Sequence, residues 1–157
     1  MRGKQIMTVT GPVNANLLGT VYSHEHLIVQ PQIPDEKYIA YTLSDENASA
    51  KEVQLFANAG GKTIVEMTPI NYGRDVLAYQ RIAKKTGIYV ICCTGFHKEL
   101  FMPSWFKEKK SSQIYDEVLN EIENGIDKTS IRPGVIKMGT SFENITDQER
   151  RAVEIVA

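Results

Sequence analysis

Residues 86–99, TGIYVICCTGFHKE, carry an unbroken apolar run from Tyr89 to Cys93, with a glycine before it and a histidine-bearing loop after it. A run this short with apolar residues at every position, rather than at alternate ones, reads as a strand buried on both faces. Strands of that kind belong to parallel sheets covered by helices. The same unit recurs on either side. One strand is predicted at 19–24 and another at 63–67, each followed by a long loop and then a helix, at 48–59 and 74–85. Gly60-Gly61 and Gly87 close these two helices. After the central strand come the loop TGFHKELFMPSW and a helix at 113–124, with Ile114, Val118, Leu119 and Ile122 on one face. A fourth strand at 134–139 leads through TSFEN to a helix opened by Thr146, whose partner Glu149 stands three residues on as in a capping box.

Long loops after the strands and short returns before them are the asymmetry of a TIM-barrel-type (β/α) fold, whose working face is the C-terminal one. The fold expected is α/β: about four β/α units, a half barrel, with a short N-terminal β-hairpin in 5–18, where QIMTVTGPVNANLL alternates and turns. A flavodoxin-like open sheet is the competing architecture. Residues 1–157 read as a single domain, a truncated N-terminal half of an eight-stranded barrel.

Composition narrows the function classes. The 157 residues are 42% hydrophobic and 24% charged, with formal net charge −1 and pI near 6.3. There is no long-range positive field for nucleic acid and no polybasic patch for a membrane surface. Lys107, Lys109 and Lys110 are interrupted by Glu108 and read as a solvated loop or helix start. The N-terminus lacks the apolar segment of a secretory signal, and no stretch approaches the ~18 apolar residues of a membrane span. Cys92 and Cys93 are adjacent, so on a strand they point to opposite faces and cannot bond to each other. Free thiols without an export signal point to the cytoplasm.

Chemistry gathers at strand ends. In YSHEHL, residues 22–27, His24 and His26 share a strand face, and two converging imidazoles suit zinc, nickel, cobalt or iron. Glu25 points the other way, toward the helices. In GVIKMG, residues 134–139, Lys137 stands in an otherwise apolar strand. A buried ammonium is costly, so such a lysine is deprotonated, paired, chemically modified, or snorkels out at the strand end. A neutral lysine amine can take up carbon dioxide as a carbamate, which can bridge two metals. Arg74 and Asp75 read as fixing a loop and a helix N-terminus. Phe101, Met102, Trp105 and Phe106 line a loop rim or anchor it.

Taken in order, LGTVYSHEHL, GGKTIVEMTPINYGRD, TGIYVICCTGFHKE, IRPGVIKMGTS and ITDQERRAV resemble the phosphotriesterase-like branch of the amidohydrolase superfamily, from about Thr8 to Ala157. The resemblance implies a metal-dependent hydrolase, lactonase or phosphotriesterase-like, that attacks ester, lactone or phosphoester bonds with a metal-bridged hydroxide. Its cofactor would be a divalent metal, two zinc ions in the complete site. His24 and His26 match the metal-binding pair of the first strand, and Lys137 the carboxylated bridging lysine. His97 falls where the family presents a loop residue to the substrate. The family completes its site with histidines of the fifth and sixth strands and an aspartate of the eighth. None of these three has a counterpart here, so no catalytic residue beyond the metal ligands is expected. Partners implied are a small-molecule ester or lactone and, for a half barrel, a second copy or a C-terminal half-barrel chain. The alternative function is a catalytically incompetent fragment that works only when such a half is supplied.

Overall fold

In a computed structural model, residues 3–33 and 36–157 are described. Residues 1–2 of the N-terminal stretch, and residues 34–35 of the loop after the first barrel strand, lie outside them.

A hairpin of β1 (Gln5–Thr8) and β2 (Gly11–Asn14) opens the chain, as its alternation predicts, but it turns at Val9-Thr10 rather than at Gly11-Pro12, which begin β2 opposite Thr8 and Met7. Four parallel strands follow: β3 (Thr20–Glu25), β4 (Gly61–Glu66), β5 (Tyr89–Phe96) and β6 (Val135–Met138). They lie side by side in sequence order, β3-β4-β5-β6. That order has no reversal, so it excludes the doubly wound alternative and gives a half-barrel sheet. Helices α1 (Glu46–Asn58), α2 (Val76–Thr86), α3 (Trp105–Glu108), α4 (Ser111–Asn124) and α5 (Asp147–Val156) connect and cover the strands.

Local chemistry sets the helix ends. Asp45 accepts from the Asn47 and Ala48 amides to cap α1, and Asp75 accepts from Ala78 to cap α2. Gly87, with φ of 71°, ends α2 in the left-handed conformation that a side chain would disfavour. At α5, Thr146 and Glu149 make the capping box read from the sequence.

The main core lies between β3–β5 and α1–α2, around Val53, Ile64, Tyr79, Ile82 and Val90. A second cluster packs Phe96 and Phe106 against Ile114, Val118 and Ala152, beneath α4 and α5. Fully burying a side chain of this size contributes about 1.5–3 kcal/mol. The hairpin closes the opposite end of the sheet. Val9, 1% exposed, donates its amide to the Val90 carbonyl, and Gln80 donates to the Val9 carbonyl.

Two expectations are corrected. The strands are not all buried on both faces. Only β4 and β5, the inner pair, are so covered. Val21 and Tyr22 of β3 and Ile136 of β6 are 40–50% exposed, because these strands are the sheet edges. The returns to the sheet are also not uniformly short: residues 125–134 separate α4 from β6. This segment is a packed turn. Ile126 and Ile131 are buried and joined by a backbone hydrogen bond, and positive φ at Asp127 and Lys128 coils the chain between them.

Candidate metal centre

The segments after β3, β4 and β5 meet over the C-terminal end of the sheet. There Val29, Tyr72 and Phe101 form a small buried cluster. Into this region β3 delivers His24 and His26. Their ring centroids lie 5.5 Å apart at an interplanar angle of 62°. His24 is exposed and His26 half-buried. Regular pairing of β3 with β4 is interrupted between Tyr22 and Glu25, where His24 sits, and His26 follows the last residue of the strand. Glu25, with Tyr22, His26, Leu43 and Phe56, lines a cavity of about 580 Å³ against α1.

His26 is held from below. Its Nδ1 is 2.8 Å from Thr68 Oγ1, and Thr68 Oγ1 in turn lies 2.5 Å from Glu66 Oε1. Glu66 is fully buried and also accepts from the Leu27 amide at 3.2 Å and the Thr68 amide at 3.0 Å. Burial pushes the Glu66 carboxyl up to about 7, against the pull of those donors. His26 is lowered to about 4, by burial first and then by the charges of Lys137 and His24.

Lys137 does not snorkel out. It is 7% exposed and donates from Nζ to the Met67 carbonyl at 2.9 Å, next in sequence to the threonine that holds His26. Burial lowers its ammonium below the ordinary value. Gly95 makes room for this strand. At φ of 98°, a Cβ there would stand 2.1 Å from the Lys137 carbonyl oxygen.

His97 follows β5 and stacks on Phe101, with centroids 4.8 Å apart, while Tyr72 meets its ring edge-on at 4.8 Å. Tyr72 also meets His26 at 6.1 Å, so one ring spans the two histidines. The Lys98 amide donates to His97 Nδ1 at 2.9 Å, which leaves Nε2 to carry the proton of the neutral ring. Burial, then the charges of Lys137, Lys98 and His26, lower His97 to about 4. The loop after β6 presses close, since a Cβ on Gly139 would fall 2.6 Å from His97 Nδ1.

Two paired imidazoles with a buried lysine beside them fit a divalent cation that favours nitrogen donors and a carbamate. Among the described residues, no three His, Cys, Asp or Glu side chains gather as a metal site. The fit therefore depends on Lys137 becoming an anionic ligand.

The remaining sequence-predicted residues are structural. Arg74 crosses to α4 and pairs with Glu121, and Asp75 caps α2. Phe106 is buried in the core, and Phe101 floors the His97 ring. Cys92 and Cys93 are free and buried. Among the described residues, no helix is long and apolar enough to cross a membrane. Glu66, Thr68 and Tyr72 escaped the reading of the sequence. Glu66 carried the same signal as Lys137, a charge inside an apolar strand, TIVEMT.

The sequence model of the phosphotriesterase family matches residues 4–157. A phospho-furanose lactonase of Mycoplasmopsis synoviae is 35% identical, over 100% of this chain and 49% of that protein. The human N-acetyltaurine hydrolase is 30% identical, over 98% of this chain and 52% of its own length. Among solved structures, a lactonase from Listeria monocytogenes superposes with a TM-score of 0.90 at 32% identity, covering 98% of this chain and 52% of its own. The organophosphorus hydrolase from Deinococcus radiodurans gives 0.84 at 28% identity, covering 98% and 49%. The chain spans about half the length of the curated relatives it matches.

Proposed function

The chain belongs to the phosphotriesterase family, and from that premise we propose that it carries the N-terminal metal-binding half of a metal-dependent hydrolase acting on lactone, ester or phosphoester bonds. The observation that carries this reading is the neighbourhood of Lys137 and His26, joined through Met67 and Thr68 at the ends of three strands. His24 and His26 would hold the cation through imidazole nitrogen. Lys137 would join them as a carbamate: the neutral amine nitrogen bonds to the carbon of carbon dioxide, one proton leaves, and the two oxygens share one negative charge. Bound divalent ions, zinc foremost, would supply an acidified water and a polarised carbonyl or phosphoryl group. His97, with its proton on Nε2, would donate to a substrate oxygen, while Tyr72 and Phe101 keep its ring in place.

A second reading concerns what completes the site. Among the described residues, the outer edges of β3 and β6 pair with no further strand. Open edges of this kind take up further strands. On this reading turnover requires a C-terminal half-barrel, supplied by another chain or a second copy. The test is hydrolysis of a lactone, a carboxyl ester and a phosphotriester with added zinc. It is run by this chain alone and with a separately expressed C-terminal half of a family member. Turnover is expected with the added half and is expected to vanish on chelation. Chelator-insensitive turnover, or none in either arrangement, would overturn the proposal.

A further inference from the structure

A histidine binds metal through one ring nitrogen only if its proton sits on the other. Ligand histidines therefore donate that second N–H to a fixed acceptor, and losing the acceptor weakens the metal site. His26 has such an acceptor within its own fold. Its Nδ1 faces Thr68 Oγ1 at 2.8 Å. The threonine hydroxyl has one proton, and the short 2.5 Å contact to Glu66 Oε1 takes it. Both Glu66 oxygens already accept backbone amides, Leu27 at Oε1 and Thr68 at Oε2, the pattern of a carboxylate that receives rather than gives. With its proton committed to Glu66, the Thr68 oxygen can only accept from His26. The His26 proton then belongs on Nδ1, and Nε2 is left with its lone pair.

We propose that Thr68 and Glu66 are positioning residues that lock His26 in the Nδ1–H tautomer and present Nε2 as the ligand atom. This rests on the reading of His26 as a metal ligand. The lock itself exists without metal, because every contact in it lies within the protein. Its rigidity comes from placement. Glu66 ends β4, is fully buried, and ties the backbone on both sides of the site, at Leu27 after β3 and at Thr68 after β4. His97 is set the opposite way, its Nδ1 accepting from Lys98 and its Nε2 protonated. The fold thus assigns the two rings complementary states, one offering a lone pair and the other a proton.

The test has two parts. Nitrogen-15 spectroscopy of the imidazoles, on metal-free protein at pH 8, reports the tautomer directly. His26 is expected protonated at Nδ1 and His97 at Nε2. In Thr68→Val, which keeps the shape and removes the hydroxyl, His26 is expected to lose that fixed state. Zinc affinity, read by competition with a chromophoric chelator, is expected to fall 10–100-fold in Thr68→Val. Thr68→Ser, which restores the hydroxyl, is expected within about threefold of the parent. A wild-type His26 protonated at Nε2 would overturn the proposal, as would an unchanged tautomer and affinity in Thr68→Val. Should the parent bind no zinc while the tautomers read as stated, the metal reading fails and the lock stands. Should Thr68→Val not fold, the parent spectrum and the serine variant still decide.

Discussion

Arg74→Met is expected to cost about 3–5 kcal/mol of folding stability, the range for removing one partner of a buried ion pair. The Arg74 side chain is 5% exposed and that of Glu121 13%. The guanidinium grips Glu121 through both of its terminal nitrogens, with Nη1 at 3.1 Å from Oε2, and reaches Asp127 at 3.3 Å. Glu121 also accepts from Thr94 Oγ1 at 2.5 Å. The arginine thus joins the loop after β4, helix α4, the turn at 125–134 and strand β5. Taking it away strands a largely buried carboxylate, whereas the exposed pair of Arg81 with Glu46 is screened by solvent and holds little together. Urea unfolding at pH 7 measures the loss. The double variant Arg74→Met, Glu121→Leu is expected to recover much of it, because no unpaired charge is left behind. A single-variant cost below about 1 kcal/mol would show that the pair does not hold these elements together.

Glu149→Gln is expected to cost about 2–4 kcal/mol at pH 7, from hydrogen bonds to a charged group that are lost or left unsatisfied. Glu149 is fully buried, and each of its oxygens accepts two donors. Oε1 takes the Glu99 amide at 3.0 Å and the Ser141 hydroxyl at 2.7 Å; Oε2 takes the Ser141 and Thr146 amides at 3.0 and 3.1 Å. An amide in its place turns N–H groups toward N–H groups. The carboxylate ties the His97 loop to the loop after Lys137, so its loss loosens both walls of the site. Burial alone would raise Glu149, but the four donors more than reverse this and hold it down at about 2. A group whose folded value lies below its unfolded value of 4.5 stabilises the fold above about pH 4.5. That contribution drains away as pH falls from there toward 2. The stability gap between parent and variant is therefore expected to be widest at neutral pH and to close toward pH 2. A gap independent of pH would contradict the charged state assigned to Glu149.

Much of this architecture is legible in the chain because its signals are local. The apolar run at Tyr89, the glycine after α2 and the Thr146–Glu149 box each specify their own element, and the structure has all three. His24, His26 and Lys137 stood out because polar groups at the ends of apolar strands need a reason. The turn at 125–134 was not legible, since its shape depends on Ile126 and Ile131 filling space beside α2 and β5 and on Asp127 reaching Arg74. Nor was the exposure of Val21, Tyr22 and Ile136, because the same apolar composition suits an edge strand and an inner one. Thr68 is the instructive omission. A threonine after a strand is unremarkable until its hydroxyl is found between His26 and Glu66.

The central claim is that His24, His26 and Lys137 hold one metal centre, and zinc titration of the parent beside His26→Ala and Lys137→Ala tests it most directly. The parent is expected to bind zinc stoichiometrically. His26→Ala is expected to lose that binding. Lys137→Ala is expected to weaken it, with bicarbonate strengthening binding in the parent alone. Equal zinc binding by all three proteins, or none by the parent, would contradict the account.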